Sequence, residues 1–254
     1  MVESRYHSNT AWRYSMNTVK INKRNVKMVA HRGLSGIERE NTNTAFVAAG
    51  NRSYFGIETD IHSTSDGKYV LIHDDTTARV AIDDYKVEET DFDTLRSLIL
   101  TDKDGKKGRS DIRIPTLPEY IGICKKYEKT AVLELKNAFA REKVFEICDQ
   151  IAEMDYIDGT VFISFNYDNL VYLREKYPTA KAQYLISTFP DDLIDRLKAH
   201  DLDLDIHYKA LTEERIKALH AEGIEVNCWT VDDKEAAETL AGWGVDYITS
   251  NILE

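Results

Sequence analysis

The stretch FGIETDIHSTSDGKYVLIHD, residues 55–74, decides how this chain folds. Its opening, FGIETD, is a short run of strand-forming residues closed by polar ones. Asp66-Gly67 is a hairpin signal that folds KYVLIH (68–73) back along the strand carrying Glu58. Glu58, Asp60 and His73 therefore gather in one neighbourhood. Two other runs finish in the same way: MVAH (28–31) closes on His31, Arg32 and Gly33, and AVLELK (131–136) closes on Glu134 and Lys136. Reactive groups collected at strand ends point to the mouth of a barrel.

Outward from that stretch, the chain alternates apolar runs with amphipathic segments, the pattern of a parallel sheet with helical crossovers. Strands are predicted over 27–31, 55–60, 131–136, 160–164, 181–186, 203–206, 224–229 and 245–249, which makes eight. Helical patterns lie between them, starting at Thr44, Leu170, Thr212 and Lys234, with Thr212 and Arg215 a weak cap and Gly223 and Gly244 at helix ends. The 254 residues suit one α/β barrel of about 250. The expected fold is thus a (β/α)8 TIM barrel over residues 26–254, with an insertion over about 75–116 after the second strand's hairpin. That insertion holds a short helix near 91–99 and the polar loop TDKDGKKGRSD, and reads either as an excursion over the mouth or as a substrate-selecting flap. Residues 1–25 lack trustworthy periodicity and form an arm of uncertain structure.

A net charge of −11 argues against a nucleic-acid footprint, which needs an excess of clustered Lys and Arg, so small molecules are the expected partners. No run approaches the roughly 18 apolar residues of a membrane span, and the N-terminus lacks an apolar signal core. Cys124, Cys148 and Cys228 follow no metal-ligand spacing and read as reduced core thiols, so a cytoplasmic protein is expected.

Glu58 and Asp60, two apart on a strand, share a face with Cα atoms about 6.6 Å apart at a rise of roughly 3.3 Å per residue. Alone this pair is a weak metal signal, since alternating acids are common on solvated strands. Glu134 on the next parallel strand adds a third carboxylate, and an all-oxygen, sulfur-free set suits Mg2+ or Ca2+ better than Zn2+. Lys136 shares the parity of Glu134, either as its ion-pair partner or as a phosphate-binding cation. Arg32 points away if the strand continues, but a turn at Gly33 brings its guanidinium over the mouth, where it can grip a phosphate with two bonds. His31 and His73 are the candidate general acid and base. His62 shares the parity of Glu58 but is placed past the strand end and left out, and His7, His200, His207 and His220 have no comparable setting. Trp229 and Asn227 share one face of a late strand and are candidates to line an alcohol-binding pocket, with core packing the ordinary alternative for a tryptophan. No P-loop, G-x-S-x-G or H-E-x-x-H motif offers a rival chemistry.

His-Arg-Gly at 31–33, Glu-Asn-Thr at 40–42, Ile-Glu-Thr-Asp at 57–60, Ile-His-Asp-Asp at 72–75, Ile-Pro-Thr-Leu at 114–117, Leu-Glu-Leu-Lys at 133–136, Trp-Thr-Val at 229–231 and Gly-Val-Asp-Tyr-Ile at 244–248 stand in one order. Together they resemble the glycerophosphodiester phosphodiesterase family over about residues 27–250. The resemblance implies a TIM barrel that hydrolyses glycerophosphodiesters to sn-glycerol 3-phosphate and an alcohol. It further implies a divalent metal on Glu58, Asp60 and Glu134, proton exchange by His31 and His73, and phosphoryl binding by Arg32 and Lys136. Arg39 departs from the family's usual Pro before Glu-Asn-Thr, and Thr249-Ser250-Asn251 replaces its closing Thr-Asp. Other readings are a phospholipase acting on lysophospholipids or phosphoinositides, which needs an apolar rim for acyl chains, a noncatalytic phosphate-ester sensor, and an unrelated scaffold.

Overall fold

The computed structural model describes residues 17–254. In chain order its strands are β1 (Lys27–Ala30), β2 (Gly56–Ser63), β3 (Tyr69–Leu71), β4 (Thr130–Leu135), β5 (Thr160–Ser164), β6 (Lys181–Ile186), β7 (Asp203–His207), β8 (Val226–Trp229) and β9 (Tyr247–Ser250). Eight of them run parallel in the circular order β1-β9-β8-β7-β6-β5-β4-β2, and the pairing of Val29 with Gly56 and Ala30 with Ile57 joins β1 to β2 and closes the barrel. β3 stands outside that ring, antiparallel on β2 through Ile61–Leu71, His62–Val70 and Ser63–Tyr69, as the Asp66-Gly67 turn predicts. The molecule is a TIM barrel.

The two-residue period of each strand sorts its side chains between two cores. Residues of one parity, among them Met28, Ile57, Ala131, Leu133, Phe162, Leu204, Cys228 and Ile248, pack in the large core that the helices share. The other parity gives Val29, Val132, Val161, Ile163, Leu185 and Tyr247, which fill the barrel interior. Glu58, Asp60 and Glu134 have this inward parity, so their burial follows from the alternation that makes the barrel.

The helices are α1 (Asn43–Gly50), α2 (Phe92–Ser97), α3 (Leu117–Lys126), α4 (Arg141–Glu153), α5 (Tyr167–Lys176), α6 (Leu193–Ala199), α7 (Glu213–Ala221) and α8 (Lys234–Trp243). Thr212 caps α7 by accepting from the Arg215 amide, and Thr116 with Glu119 forms a complete capping box on α3. Gly244 closes α8 at φ +90°, a conformation that favours glycine. No described helix is long and apolar enough to cross a membrane.

Three strand boundaries of the eight-stranded ring differ from the sequence reading by two residues or more. β2 continues to Ser63, because its pairing with β3 extends the ladder beyond Asp60, and His62 therefore lies inside the strand rather than past its end. β8 and β9 each begin two residues later than predicted. The insertion carries the expected short helix, α2, and more than that: Val80, Val87, Leu95, Leu98, Leu100, Ile112 and Ile114 form a separate small core with Val70 and Ile72. Of the arm expected over residues 1–25, residues 1–16 lie outside the described residues. Residues 19–21 run beside 252–254, with the Val19 amide on Ile252 O and the Ile21 amide on Glu254 O.

Candidate active site

Neighbouring strands bring the three acids together. Register pairs Asp60 of β2 with Glu134 of β4, and Glu58 lies two residues earlier on the same face. One carboxylate oxygen from each of Glu58, Asp60 and Glu134 lies within 4.8 Å of the other two, and all three residues are buried. Lys136 projects from the end of β4 with Nζ 3.1 Å from Glu134 Oε1 and 3.5 Å from Asp60 Oδ1.

Arg32 reaches the same place through a left-handed turn, with φ +54° at Arg32 and +75° at Gly33. Only glycine fits the second position: a Cβ there would lie 2.7 Å from the Ala45 carbonyl carbon. The turn lets the Arg32 amide donate to Glu58 Oε2 (2.7 Å) and swings the guanidinium to Glu40 Oε1 (2.8 Å), with Nε 3.7 Å from Asp60 Oδ2. Among the described residues Arg32 Nε is buried without a hydrogen-bond partner, as is Asp60 Oδ1.

Both candidate imidazoles are held through Nδ1. Asn251 donates through Nδ2 to the Asp232 carboxylate (2.6 Å), which turns its Oδ1 toward His31 Nδ1 at 2.8 Å. His31 therefore carries its proton on Nδ1 and presents Nε2, 4.0 Å from Glu58 Oε2. His73 Nδ1 donates to Asp74 Oδ1 at 2.6 Å, leaving its Nε2 free as well. Asp74 is gripped by Arg79 through two bonds of 2.7 and 3.0 Å, and Arg79 grips Glu40 through two more of 2.6 and 2.9 Å. One chain of charged bonds thus runs from His73 through Asp74, Arg79 and Glu40 to Arg32.

Charge and burial divide these groups. Burial, reinforced by Asp60, raises Glu58 well above the usual carboxylate range and takes Glu134 to about 8. For Asp60 burial is outweighed by Arg32, His73, Lys136 and the 2.8 Å bond from Asn41 Nδ2, which hold it well below that range. Glu40 likewise drops to about 2, because its bonds to Arg79 and Arg32 outweigh burial. Burial and the adjacent Arg32 lower His31 to about 4, and burial also lowers His73. A cluster with carboxyls forced upward by their neighbours is one that a cation would relieve.

His31, Arg32, Glu58, His73, Glu134 and Lys136 line one narrow cavity of about 80 Å³, whose remaining wall includes Ile163, Phe165, Leu185, Asp205, Trp229 and Thr249. Residues 31–253 match the Glycerophosphoryl diester phosphodiesterase family. The chain belongs to that family. Glycerophosphodiester phosphodiesterase 1 of Mus musculus is 33% identical over 267 residues, covering 90% of this chain and 79% of that protein. A glycerophosphodiester phosphodiesterase of Caldanaerobacter subterraneus is 28% identical, covering 88% and 93%. Among solved structures, an Oleispira antarctica phosphodiesterase in complex with the product sn-glycerol-3-phosphate aligns with a TM-score of 0.78 at 27% identity, over 89% of this chain and 92% of that one. The protein is accordingly a phosphoric diester hydrolase of the glycerophosphodiester phosphodiesterase class.

Within this family frame, the two departures have structural work. Asn251 orients His31, and Arg39 donates to the carbonyls of Thr101 and Asp102 (2.5 Å each), tying the insertion to the loop after β1. Trp229 lines the cavity, edge-on to Phe165 and His207. Asn227 does not: it is buried inside the barrel, bonded to Gln183 Oε1 and Thr249 Oγ1, because its register position lies one inward layer below Trp229. His62 is fully buried with Nε2 3.3 Å from His73 O, supporting the strand end that carries His73. Sequence reasoning missed Asn41, Arg79, Asp205 and Asn251, and gave Glu40 no task. The Glu-Asn-Thr motif pointed to Glu40 and Asn41, and the Thr249-Ser250-Asn251 departure to Asn251.

Proposed function

We propose that this enzyme hydrolyses glycerophosphodiesters to sn-glycerol 3-phosphate and an alcohol, with Mg2+ or Ca2+ as cofactor and His31 and His73 as proton-transfer groups. The observation that carries the reading is the convergence of three buried carboxylates, two cationic side chains and two imidazoles on one cavity. The donor set fits a hard cation: every candidate ligand is a carboxylate oxygen, and Asp60 Oδ1 is buried without a hydrogen-bond partner. Glu58, Asp60 and Glu134 would hold it, and when bound it supplies Lewis-acid stabilisation of charge on the phosphoryl oxygens.

The remaining work belongs to the protein. Arg32 and Lys136 neutralise the phosphate, Arg32 with a guanidinium already oriented by Glu40. His31 is the better base: its Nδ1 rests on a neutral amide, and burial with Arg32 keeps the resting ring uncharged, so Nε2 is free to take the proton of the nucleophile, either water directly or the glycerol 2-hydroxyl in a first step whose cyclic phosphate water then opens. His73 is the better acid, because the Asp74 carboxylate steadies an imidazolium that gives its proton to the leaving alcohol oxygen as the P–O bond breaks. Trp229 forms part of the wall facing the alcohol-bearing carbons. Three buried, unpaired cysteines support a cytoplasmic setting.

The test is release of sn-glycerol 3-phosphate from a panel of glycerophosphodiesters and lysophospholipids, with EDTA as the control. Activity on the deacylated diesters that EDTA abolishes is expected, and His31→Ala and His73→Ala should each lower turnover by about a hundredfold or more. Chelator-resistant activity or near-normal variants would overturn the assignment.

A further inference from the structure

Asp205 is the one carboxylate of the cavity wall that the chemistry above leaves without a task. It sits on β7, four strands around the eight-stranded ring from β2 and therefore diametrically across the barrel from Glu58 and Asp60. The residue is 1% exposed yet lines the cavity. Among the described residues it makes no ion pair, and its Oδ1 is buried without a hydrogen-bond partner. Burial alone raises its carboxyl to about 8, with no neighbouring charge or hydrogen bond contributing. On the adjacent strand β8, Trp229 Nε1 is a second buried polar atom with no partner among the described residues. Ile163, Leu185 and Phe165 make up apolar wall of the same cavity.

A structural carboxyl in an interior is hydrogen-bonded, because burial strips it of water and an unsatisfied one recovers none of that lost solvation. An acceptor and a donor left open on one wall, with apolar side chains beside them, form a receptor for a short carbon chain that ends in hydroxyls. We propose that Asp205, with Trp229 Nε1, binds the free hydroxyls of the substrate's glycerol arm and so restricts the enzyme to diesters whose glycerol is not acylated. The proposal rests on the phosphodiesterase reading above and adds to it a specificity-determining residue. The narrow cavity explains why the glycerol, rather than the leaving alcohol, takes this end: the head group varies among such diesters and needs open space, while the three-carbon arm is constant and small. An acyl ester in place of the terminal hydroxyl would remove the donor that Asp205 requires and press an apolar chain on a buried carboxyl. Sites built to bond a hydroxyl reject analogues that lack it by far more than apolar pockets reject an extra methylene.

The experiment compares the cation-loaded wild type with Asp205→Leu and Asp205→Asn. Affinity for sn-glycerol 3-phosphate and for n-propyl phosphate, which keeps the phosphate and carbon chain but lacks both hydroxyls, is measured by calorimetry. Alongside it, kcat/KM is measured on glycerophosphoethanolamine. The wild type should prefer sn-glycerol 3-phosphate by about tenfold or more, Asp205→Leu should erase that preference while leaving n-propyl phosphate binding within about threefold, and kcat/KM should fall about a hundredfold. Asp205→Asn, which keeps the shape and an acceptor, should fall between and decides the matter if the leucine variant does not fold. An unchanged preference, or an equal loss of affinity for both ligands, overturns the role of Asp205 while leaving the phosphodiesterase reading intact. A wild type that releases no sn-glycerol 3-phosphate from the diester overturns both.

Discussion

Glu134 and Glu254 are both buried glutamates, 5% and 4% exposed, and they occupy opposite electrostatic worlds. Glu254 accepts from Thr18 Oγ1 (2.5 Å), the Ser53 amide (2.6 Å) and the Ser53 hydroxyl (2.5 Å), and its Oε1 lies 2.8 Å from Lys20 Nζ. Those partners outweigh burial and hold it at about 2. Glu134 has Lys136 as its one cationic partner among the described residues, shares its space with Asp60 and Glu58, and is raised to about 8. A saturated carboxylate fastens the fold, here by joining the 18–20 segment to the loop before β2. An undersatisfied one stores unfavourable energy that a bound cation can release, so the same side chain serves stability in one place and chemistry in the other.

The sharpest break of this contrast is Glu134→Gln. If Glu134 holds the proposed cation, its loss should lower diesterase turnover by about a thousandfold, since such a cation contributes several kcal/mol to the transition state. In EDTA the same variant should melt no lower than the wild type, because one of three crowded carboxylates has gone. A Tm drop of several degrees in EDTA would mean that Glu134 is a structural acid like Glu254.

Next in size is Arg79, an insertion residue that grips Asp74 and Glu40 and thereby couples His73 to Arg32. Arg79→Met should reduce kcat by roughly ten- to a hundredfold, the cost of misplacing groups by a fraction of an ångström to an ångström. KM should change little, and the pH dependence of kcat should shift as His73 loses the alignment of its Asp74 partner. If KM rises and the profile stays fixed, Arg79 contacts substrate instead of positioning His73.

Arg79 also marks where sequence reading stopped. The strands and the polar groups at their ends were legible because inward parity and strand termination are local: Glu58-x-Asp60 and Glu134-x-Lys136 each declare a face within three residues. Barrel closure then places those faces together, and the register of β2 against β4 bears this out. Asp74 to Arg79 to Glu40 joins segments up to 39 residues apart, and no periodicity encodes such a pairing. Asn251 was illegible for a similar reason: its amide has meaning only once Asp232 and His31 lie on either side of it. Asp205 sits in an inward register like its neighbours, yet an acid in a short strand of alternating acids and apolar residues, Asp203-Leu204-Asp205-Ile206, reads as a solvated face until the barrel encloses it. Asn227 is the converse, a correct face but one layer too deep, because a two-residue period fixes side and not depth.

The smallest effect falls on the other half of the comparison. Glu254→Gln should leave kcat and KM unchanged and lower stability by about 2 kcal/mol, the scale of hydrogen bonds to a charged group. Its pH signature has a definite sign. Glu254 titrates at about 2 in the fold against 4.5 ordinarily, so its contribution is complete above pH 4.5 and is lost as pH falls toward 2. Glu134 runs the opposite way: at about 8 in the fold it holds a proton that the unfolded chain has released, so without a cation stability declines as pH rises from 4.5 through 8. Denaturation in EDTA across this range should therefore give a curve whose acid limb flattens in Glu254→Gln and whose neutral limb flattens in Glu134→Gln. Addition of the cation should flatten the neutral limb of the wild type as well, since a ligated Glu134 no longer needs its proton. A neutral limb that persists in Glu134→Gln would place the strained charge elsewhere in the cluster, on Glu58, whose carboxyl is raised by the same burial and the same Asp60.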